Sequence, residues 1–264
     1  MLIENVGGAG GMVGSARVVK AAPDGYQFVL GSRADAINQT LYKNPLYNFA
    51  TDLAPAVLIA DQPTLLVARK DFPADNLPEF IAYAKANQAS MQMASAGAGS
   101  TGHLDCMLLN AAIGINVTHV PYRGGGPAMQ DLIAGRIDYF CTLSATIVPQ
   151  IESNLVKAIA IFTRNRLPTL PNVASAYDQG MTDFTASTWF GFFVPAGTPG
   201  AIIQRLHDAS VAAVETPAVQ DRLIESGTIV VAPERRSPEY LQRFVASEIV
   251  KNAAPIKAAG IAMD

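Results

Sequence analysis

The feature that most constrains the fold of this chain is a glycine-rich stretch, residues 93–104 (MASAGAGSTGHL). The residues before it have the apolar pattern of a buried strand, and those after it, up to residue 113, have the pattern of a helix. The first turn of a helix presents backbone N–H groups that have no acceptor within the helix, at the positive end of the helix dipole. We therefore predict a strand, a tight turn and a helix whose start can hold an anion.

Three interpretations of this stretch are open. Gly97, Gly99 and Gly102 have the spacing of a dinucleotide-binding loop, but the next predicted strand, residues 115–120, ends without the carboxylate that would hold a ribose. The lysine of a phosphate-binding loop is also missing before Ser100. A plain structural turn is the second interpretation. A site for a carboxylate or a similar small anion is the third, and it is the one we favour.

Composition excludes several classes of protein. The chain has 264 residues, half of them hydrophobic and only 16% charged, so it can bury a large core in one or two domains. A net charge of -3 and a pI of about 5.6 give no basic patch for nucleic acid. No apolar run reaches the roughly 18 residues of a membrane-spanning helix. Three histidines without ligand-like spacing argue against a zinc site, and no cofactor is predicted.

The two cysteines leave two alternatives open. Cys106 and Cys141 do not form a Cys-x-x-Cys pattern, so the sequence cannot decide between a disulfide and two thiols. Because both lie in apolar segments, we expect two buried thiols.

The order of patterns along the chain predicts an α/β protein. Residues 2–6, 12–21 and 26–30 are predicted to form a strand, a helix and a strand, the unit of a parallel sheet. The same alternation continues to the end of the chain. Further helices are predicted at residues 36–41, 77–86, 128–134, 148–152, 201–215, 217–226 and 237–259, and further strands at residues 54–60, 64–68, 138–143, 156–162, 188–194 and 228–231.

Two points along the chain indicate a division into two lobes. The first is residues 61–63 (DQP), between two apolar runs, and the second is residues 195–199 (PAGTP), after an apolar strand. We predict that residues 1–60 and 189–264 form one lobe and residues 61–188 the other. Two crossings would make a hinge, about which the lobes could close on a ligand.

Several short motifs, taken together, resemble the substrate-binding proteins of tripartite tricarboxylate transporters, known as Bug receptors. Each motif is weak alone, but they occur in the family's order over nearly the whole chain. The matching pieces are ENVGGAGG at residues 4–11, APDGY at 22–26, SAGAGS at 95–100, HVPYRGG at 119–125, LPNV at 170–173, WFG at 189–191 and PAGTP at 195–199.

The resemblance implies a periplasmic binding protein of the two-lobed, type II Venus-flytrap fold, each lobe a mostly parallel sheet flanked by helices. It implies a monomer that captures a small carboxylate, a dicarboxylic or an aromatic acid, and passes it to the membrane permease subunits of a transporter. In that family the carboxylate lies between two glycine-containing loops, one from each lobe. Residues 95–101 correspond to the loop of the second lobe.

The chain departs from the family at three places. The family's signal peptide, first strand and first ligand loop have no counterpart before Met1. The sequence is therefore either truncated or that of a degenerate member; we favour truncation, and expect an incomplete first lobe and weak binding. Thr142 stands where many members have an aspartate, which argues against an amino-acid ligand. Arg33 and Asp35 replace a threonine–histidine pair of the family; they could set the specificity for the far end of the ligand, or be solvated loop residues.

The predicted ligand-binding set combines the glycine-rich loop with these positions. His103 could donate to an anion or cap its own helix, and Tyr122 could reach the ligand or support loop packing. Asp105 and Asp131 are expected to be exposed on helices. No Gly-x-Ser-x-Gly motif supports the alternative of a hydrolase, and we predict no enzymatic activity. The predicted site residues are Ser95, Ala96, Gly97, Gly99, Ser100, Thr101, His103, Tyr122, Thr142, Arg33 and Asp35.

Overall fold

The computed structural model describes residues 1–258, 260 and 262, and it consists of two compact units. Unit 1 contains Met1–Asp61, Trp189–Leu223 and Ile229–Asp264, and unit 2 contains Gln62–Thr188 and Ile224–Thr228. The chain therefore passes between the units at residues 61/62, 188/189, 223/224 and 228/229. Both units contain helices and strands.

The helices are α1 (Met12–Val19), α2 (Arg33–Leu41), α3 (Leu77–Asn87), α4 (Thr101–Ile113), α5 (Gly125–Ile133), α6 (Ser144–Glu152), α7 (Gly200–Val214), α8 (Pro217–Glu225) and α9 (Pro238–Ala258). The strands are β1 (Val29–Ser32), β2 (Leu53–Arg69), β3 (Gln92–Ser95), β4 (Thr118–Pro121), β5 (Tyr139–Leu143), β6 (Val156–Ile161), β7 (Ser187–Pro195) and β8 (Ile229–Val230). Short 3-10 turns cover Ala9–Gly11 and Pro233–Arg235. Among the residues that the structure describes, no helix has the length and apolar character needed to cross a membrane.

Unit 1 packs its helices on antiparallel strands. β1 pairs with β7, with Val29 opposite Phe193, and β8 pairs with the first half of β2. The core centres on Trp189, which is 2% exposed, stacks on Phe49 and donates its indole N–H to Glu248 over 3.1 Å. A buried tryptophan with a bonded N–H is a stable core arrangement because no polar atom is left without a partner.

Unit 2 holds the only parallel pairings found in the described residues. β3 lies between β4 and β5 and is parallel to both, whereas β5 and β6 pair with the second half of β2 in antiparallel fashion. The sheets are therefore mixed rather than mostly parallel, because the long strand β2 runs against its neighbours. The apolar residues of unit 2 form two buried clusters, which contain Phe80 and Tyr139 in one and Phe140 and Leu132 in the other.

The first thirty residues do not form the predicted parallel strand–helix–strand unit. Residues 2–6 have no regular structure, and residues 2–5 are exposed, with Leu2 82% exposed. The next strand begins at Val29 rather than residue 26, leaving Tyr26 exposed, and it is antiparallel to β7. The prediction was wrong because an apolar pattern shows that a segment can form a strand, but not which strand lies beside it.

Helices with clear start signals lie where the sequence predicts them. The side chain of Asn76 caps α3 by accepting the N–H of Glu79, and Pro78 lies in the first turn. Ser237 accepts the N–H of Tyr240 at the start of α9, as predicted. The predicted end of that helix, Ala259, lies outside the described residues. The predicted strands 54–60 and 64–68 are one continuous strand, β2.

Cys106 and Cys141 form a disulfide, so the expectation of two thiols was wrong. Cys106 lies on α4 and Cys141 on β5, with 5.5 Å between their Cα atoms, and both are fully buried. Apolar surroundings suit a disulfide as well as a thiol. The 35-residue separation in sequence could not show that the two meet.

Candidate functional site

The candidate site lies in unit 2, at the edge of the sheet where β3, β4 and β5 end. The three strands are parallel, in the order β5-β3-β4, so their carboxyl ends meet at one edge. Each strand leads into a helix that starts there: α4 follows β3, α5 follows β4 and α6 follows β5. In α/β proteins this edge is where ligands bind, and helix starts at such an edge favour anions.

Backbone hydrogen bonds hold the loops at this edge together. The N–H of Tyr122 donates to the carbonyl of Ser95 over 3.0 Å, and the N–H of Gly124 donates to that of Ala96 over 3.1 Å. The glycine-rich loop that follows β3, residues 96–100, is thereby fixed to the loop between β4 and α5. Backbone hydrogen bonds therefore help to fix the conformation of this loop.

The start of α4 also lies directly on β5. A methyl carbon added at Gly102 would overlap the carbonyl oxygen of Cys141, so only glycine fits this close approach. The β3–β5 register pairs Ala94 with Phe140, and continuing it by two residues places Thr142 beside Ala96. Because neighbouring strands are about 4.8 Å apart, we infer from this continued register that Thr142 lies close to the loop.

Four backbone N–H groups near the loop are already paired, which corrects the prediction that the loop amides are free. Gly97 donates to the hydroxyl of Ser95 over 3.1 Å, and Ser100 donates to the carbonyl of Gly97 over 3.1 Å. Gly99 donates to Nδ1 of His103 over 3.4 Å, and the N–H of His103 donates to the Ser100 hydroxyl over 3.3 Å. Ser100 is thus the N-cap of α4, and its hydroxyl oxygen is engaged as the acceptor of that bond.

Three other N–H groups and two hydroxyls at this edge have no hydrogen-bond partner. Within the part of the chain that the structure describes, the N–H groups of Ala96, Thr101 and Gly102 donate no hydrogen bond. The hydroxyls of Thr101 and Thr142 have no partner there either, although these residues are only 7% and 5% exposed. We call these four residues, Ala96, Thr101, Gly102 and Thr142, the donor cluster.

Two stacked histidines lie beside the loop. The rings of His103 and His119 are 4.1 Å apart and nearly parallel, and Nε2 of His119 is 2.7 Å from the hydroxyl oxygen of Ser95. Burial, with a smaller effect of His119, lowers the pKa of His103 to about 4. Burial also lowers the pKa of His119. Both rings are therefore neutral at pH 7, and sequence reasoning missed His119 as part of the site.

Tyr122 is engaged in packing rather than open to a ligand. Its hydroxyl donates to Asp131 on α5 over 2.7 Å, and Asp131 also pairs with Arg136 over 2.8 Å. Burial and this hydrogen bond raise the pKa of Tyr122 to about 12. Tyr122 thus ties the loop after β4 to α5, and Asp131, predicted to be exposed, is half-buried in this network.

Arg33 and Asp35 belong to unit 1, and neither is a solvated loop residue. Both are buried in the first turn of α2, where Arg33 donates from Nε to Asn252 over 2.9 Å. Asp35 accepts the N–H of Ser32 over 2.8 Å, forming a capping box with it. Asp35 also accepts the hydroxyls of Ser15 and Tyr47. The desolvation of burial raises the pKa of Asp35 despite these donors.

Asp105 is also buried, contrary to the prediction. It is fully inaccessible on α4, where Oδ2 accepts the hydroxyl of Thr64 over 2.8 Å. The partner lies 41 residues away in sequence, so no local pattern could indicate it. Among the described residues, no group of three or more His, Cys, Asp or Glu is placed to hold a metal ion.

Comparison with known proteins gives one consistent family. The family described as "Tripartite tricarboxylate transporter family receptor" matches residues 1–261. The periplasmic binding protein BugD is 36% identical, with a TM-score of 0.96 over 99% of this chain and 87% of that chain. MatC of Rhodopseudomonas palustris, with bound malate, is 35% identical, with a TM-score of 0.91 over 94% and 85% of the two chains.

A third similar structure also contains a dicarboxylate. Rpa4515 of R. palustris, with adipate, is 30% identical, with a TM-score of 0.93 over 99% of this chain and 87% of that chain. These structures confirm the predicted α/β periplasmic-binding-protein fold class. The chain therefore belongs to the tripartite tricarboxylate transporter receptor family, to which the Bug periplasmic binding proteins are related.

Proposed function

We propose that this protein is a periplasmic receptor that binds a small carboxylic acid and delivers it to the permease subunits of a tripartite transporter. The observation that carries the proposal is the donor cluster, which has three unpaired N–H groups and two unpaired hydroxyls in the loop after β3, at the start of α4 and on the neighbouring strand β5. A carboxylate has two oxygens with about four lone-pair positions, so this donor set can satisfy it. The dipole of α4 adds a favourable interaction with negative charge.

The absence of full charges among the four site residues favours a carboxylate over a phosphate. None of them is ionisable, and the two histidines beside them are neutral at pH 7. A monovalent carboxylate suits neutral donors, whereas phosphate groups are commonly held with arginine or lysine. Malate and adipate, bound in two related structures, both carry two carboxylates. We infer a dicarboxylic acid, or an aromatic carboxylic acid, as the ligand.

The periplasmic location is supported by the family and by the disulfide. Disulfides persist in oxidising compartments, and the periplasm is one of them. Cys106 and Cys141 join α4 to β5, so the bond holds the helix that starts at the site to its neighbouring strand.

We further infer that the protein is a receptor and not an enzyme. Ser95 and His119 have the 2.7 Å separation of a nucleophile and its base, which is the one observation that favours a hydrolase. However, Ser95 is fully buried, and its oxygen also accepts the N–H of Gly97. Among the described residues no carboxylate bonds to His119, so the third member of a triad is not in place.

Calorimetric titration of the purified protein tests the proposal. We expect malate, adipate or benzoate to bind, and adipamide, the uncharged diamide of adipate, not to bind. Thr101→Val and Thr142→Val remove the hydroxyls at nearly constant shape and should each weaken binding about tenfold, the usual effect of losing a hydrogen bond to a charged group. Thr118→Val, at an exposed position on β4, is the matched control. Equal affinity in all three variants would overturn the assignment of the site.

A further inference from the structure

The proposed ligand contacts do not include His103 and His119, whose rings stack beside the loop. The two residues come from different elements, α4 and β4, and their rings meet face to face at 4.1 Å. His103 is 4% exposed, and His119 is partly buried. Two imidazoles in such contact beside a binding loop call for an explanation.

Each ring controls one backbone N–H group of the loop. Nδ1 of His103 accepts the N–H of Gly99 directly. His119 acts through Ser95, whose hydroxyl oxygen is bonded both to Nε2 of His119 and to the N–H of Gly97. The N–H groups of Gly97 and Gly99 are therefore hydrogen-bonded within the protein. The N–H groups of Ala96, Thr101 and Gly102 are the ones left for a ligand.

The hydrogen bonds also determine where each ring carries its proton. Because Nδ1 of His103 accepts a hydrogen bond, the proton of that ring lies on Nε2. The oxygen of Ser95 already accepts the N–H of Gly97, and Ser95 is fully buried. A buried hydroxyl hydrogen needs an acceptor, and Nε2 of His119 is the one that the described residues place beside it. We therefore infer that Ser95 donates to Nε2, which leaves the proton of the His119 ring on Nδ1.

We propose that His103 and His119 are a neutral positioning pair, with opposite tautomers, that holds residues 96–100 in the form that binds the ligand. A proton added to the accepting nitrogen of either ring would remove its hydrogen bond and would place a cation against its stacked neighbour. The lowered pKa values of both rings agree with this arrangement. The tautomers concern the protein alone, whereas the effect on affinity rests on the proposed function.

The tautomers can be measured without any ligand. The sequence has three histidines, so the 15N–1H correlation spectrum of the imidazole rings is simple to assign with single variants. At pH 7 we expect neutral rings, with His103 protonated on Nε2 and His119 on Nδ1. An imidazolium at either position, or the same tautomer at both, would overturn the proposal.

The positioning role is tested by pairs of variants that keep or remove the accepting atom. His103→Asn and His119→Gln retain an oxygen acceptor close to the original nitrogen, whereas His103→Leu and His119→Leu remove it. We expect the leucine variants to bind malate or adipate at least about tenfold more weakly than the wild type, because a buried N–H or O–H loses its acceptor. The amide variants should recover most of that loss. His207→Leu, in unit 1, is the control.

The possible failures are distinguishable. A wild-type protein that binds no carboxylate would overturn the proposed function, while its tautomers would still test the arrangement of the rings. Leucine variants that fold and bind as tightly as the wild type would overturn the positioning role alone. If the leucine variants do not fold, the amide variants test the positioning role. A folded amide variant that loses affinity as much as expected for leucine would also overturn that role.

Discussion

Gly102 shows how one residue can determine the geometry of the site. Its N–H belongs to the donor cluster, and its α carbon lies against the carbonyl oxygen of Cys141 on β5. The sequence indicated Gly102 as part of a loop motif, but the reason that glycine is required is a contact 39 positions along the chain. The same limit applies to Asp105, whose burial depends on the distant hydroxyl of Thr64. Residue types could be predicted here, whereas partners could not.

Gly102→Ala is therefore expected to be strongly destabilising. The added methyl group would overlap backbone atoms of β5, so α4 would have to move, at a cost of about 1–3 kcal/mol. Urea unfolding followed by circular dichroism measures this cost, and titration with malate or adipate should show weakened binding as the donors shift. Gly126→Ala is the control, because an alanine methyl group there meets no atom within 4 Å and lies on a helix. A stability equal to that of Gly126→Ala would contradict the close approach.

The titration of His103 should make stability depend on pH. Its folded pKa of about 4 lies below the ordinary value of 6.5, so the unfolded chain gains a proton before the folded protein does. The contribution of His103 to the free energy of unfolding should be constant above pH 6.5 and should decrease as the pH falls toward 4. The loss is on the order of 3 kcal/mol at most.

Comparison with His103→Asn isolates this effect, because all other titrating groups are the same in both proteins. The free energy of unfolding, measured in urea at pH 7.5 and 5, should fall more for the wild type than for the variant. Equal decreases would show that His103 is not responsible. Asp35, whose pKa is raised by burial, has the opposite sign and cancels in the comparison.

At the scale of elements, the sequence predicted most helices and strands but not their pairing. The strand, loop and helix from residue 92 to 113 follow the prediction, because the glycines, the Ser100 cap and the apolar spacing all act locally. Residues 2–6 have the composition of a strand and form none, and β1 is antiparallel to β7. The donors of the site were predicted only in part. The N–H groups of Gly97 and Gly99 were expected to be free, but they donate to the side chains of Ser95 and His103.

The disulfide between α4 and β5 should contribute substantially to stability. Closing a loop with a sequence separation of 35 restricts the unfolded chain by about 4 kcal/mol in the chain-entropy model. The double variant Cys106→Ala, Cys141→Ala should lose a comparable free energy of unfolding in urea. Adding a reductant to the unfolded wild type before refolding should give a similar loss, and it should leave the double variant unchanged. A variant as stable as the oxidised wild type would contradict this expectation.

At the scale of the whole molecule, family membership and fold class follow from motifs spread along the chain. They could be predicted from the sequence because each motif keeps its order and local structure. Which far-apart segments complete each unit depends on tertiary contacts. Residues 224–228, for example, belong to unit 2 although the segments on both sides of them belong to unit 1.

The position of residues 224–228 in the sequence has a consequence for the folding of unit 2 during synthesis. Within unit 2, the carbonyl of Gly227 accepts the hydroxyl of the fully buried Ser144, and Thr228 accepts the side-chain N–H of Gln62. Residues 62–188 alone leave these groups without partners, so unit 2 has all of its parts only after the ribosome has added residue 228. By then the intervening residues 189–223 of unit 1 have also been synthesised, and unit 2 cannot complete its assembly before them.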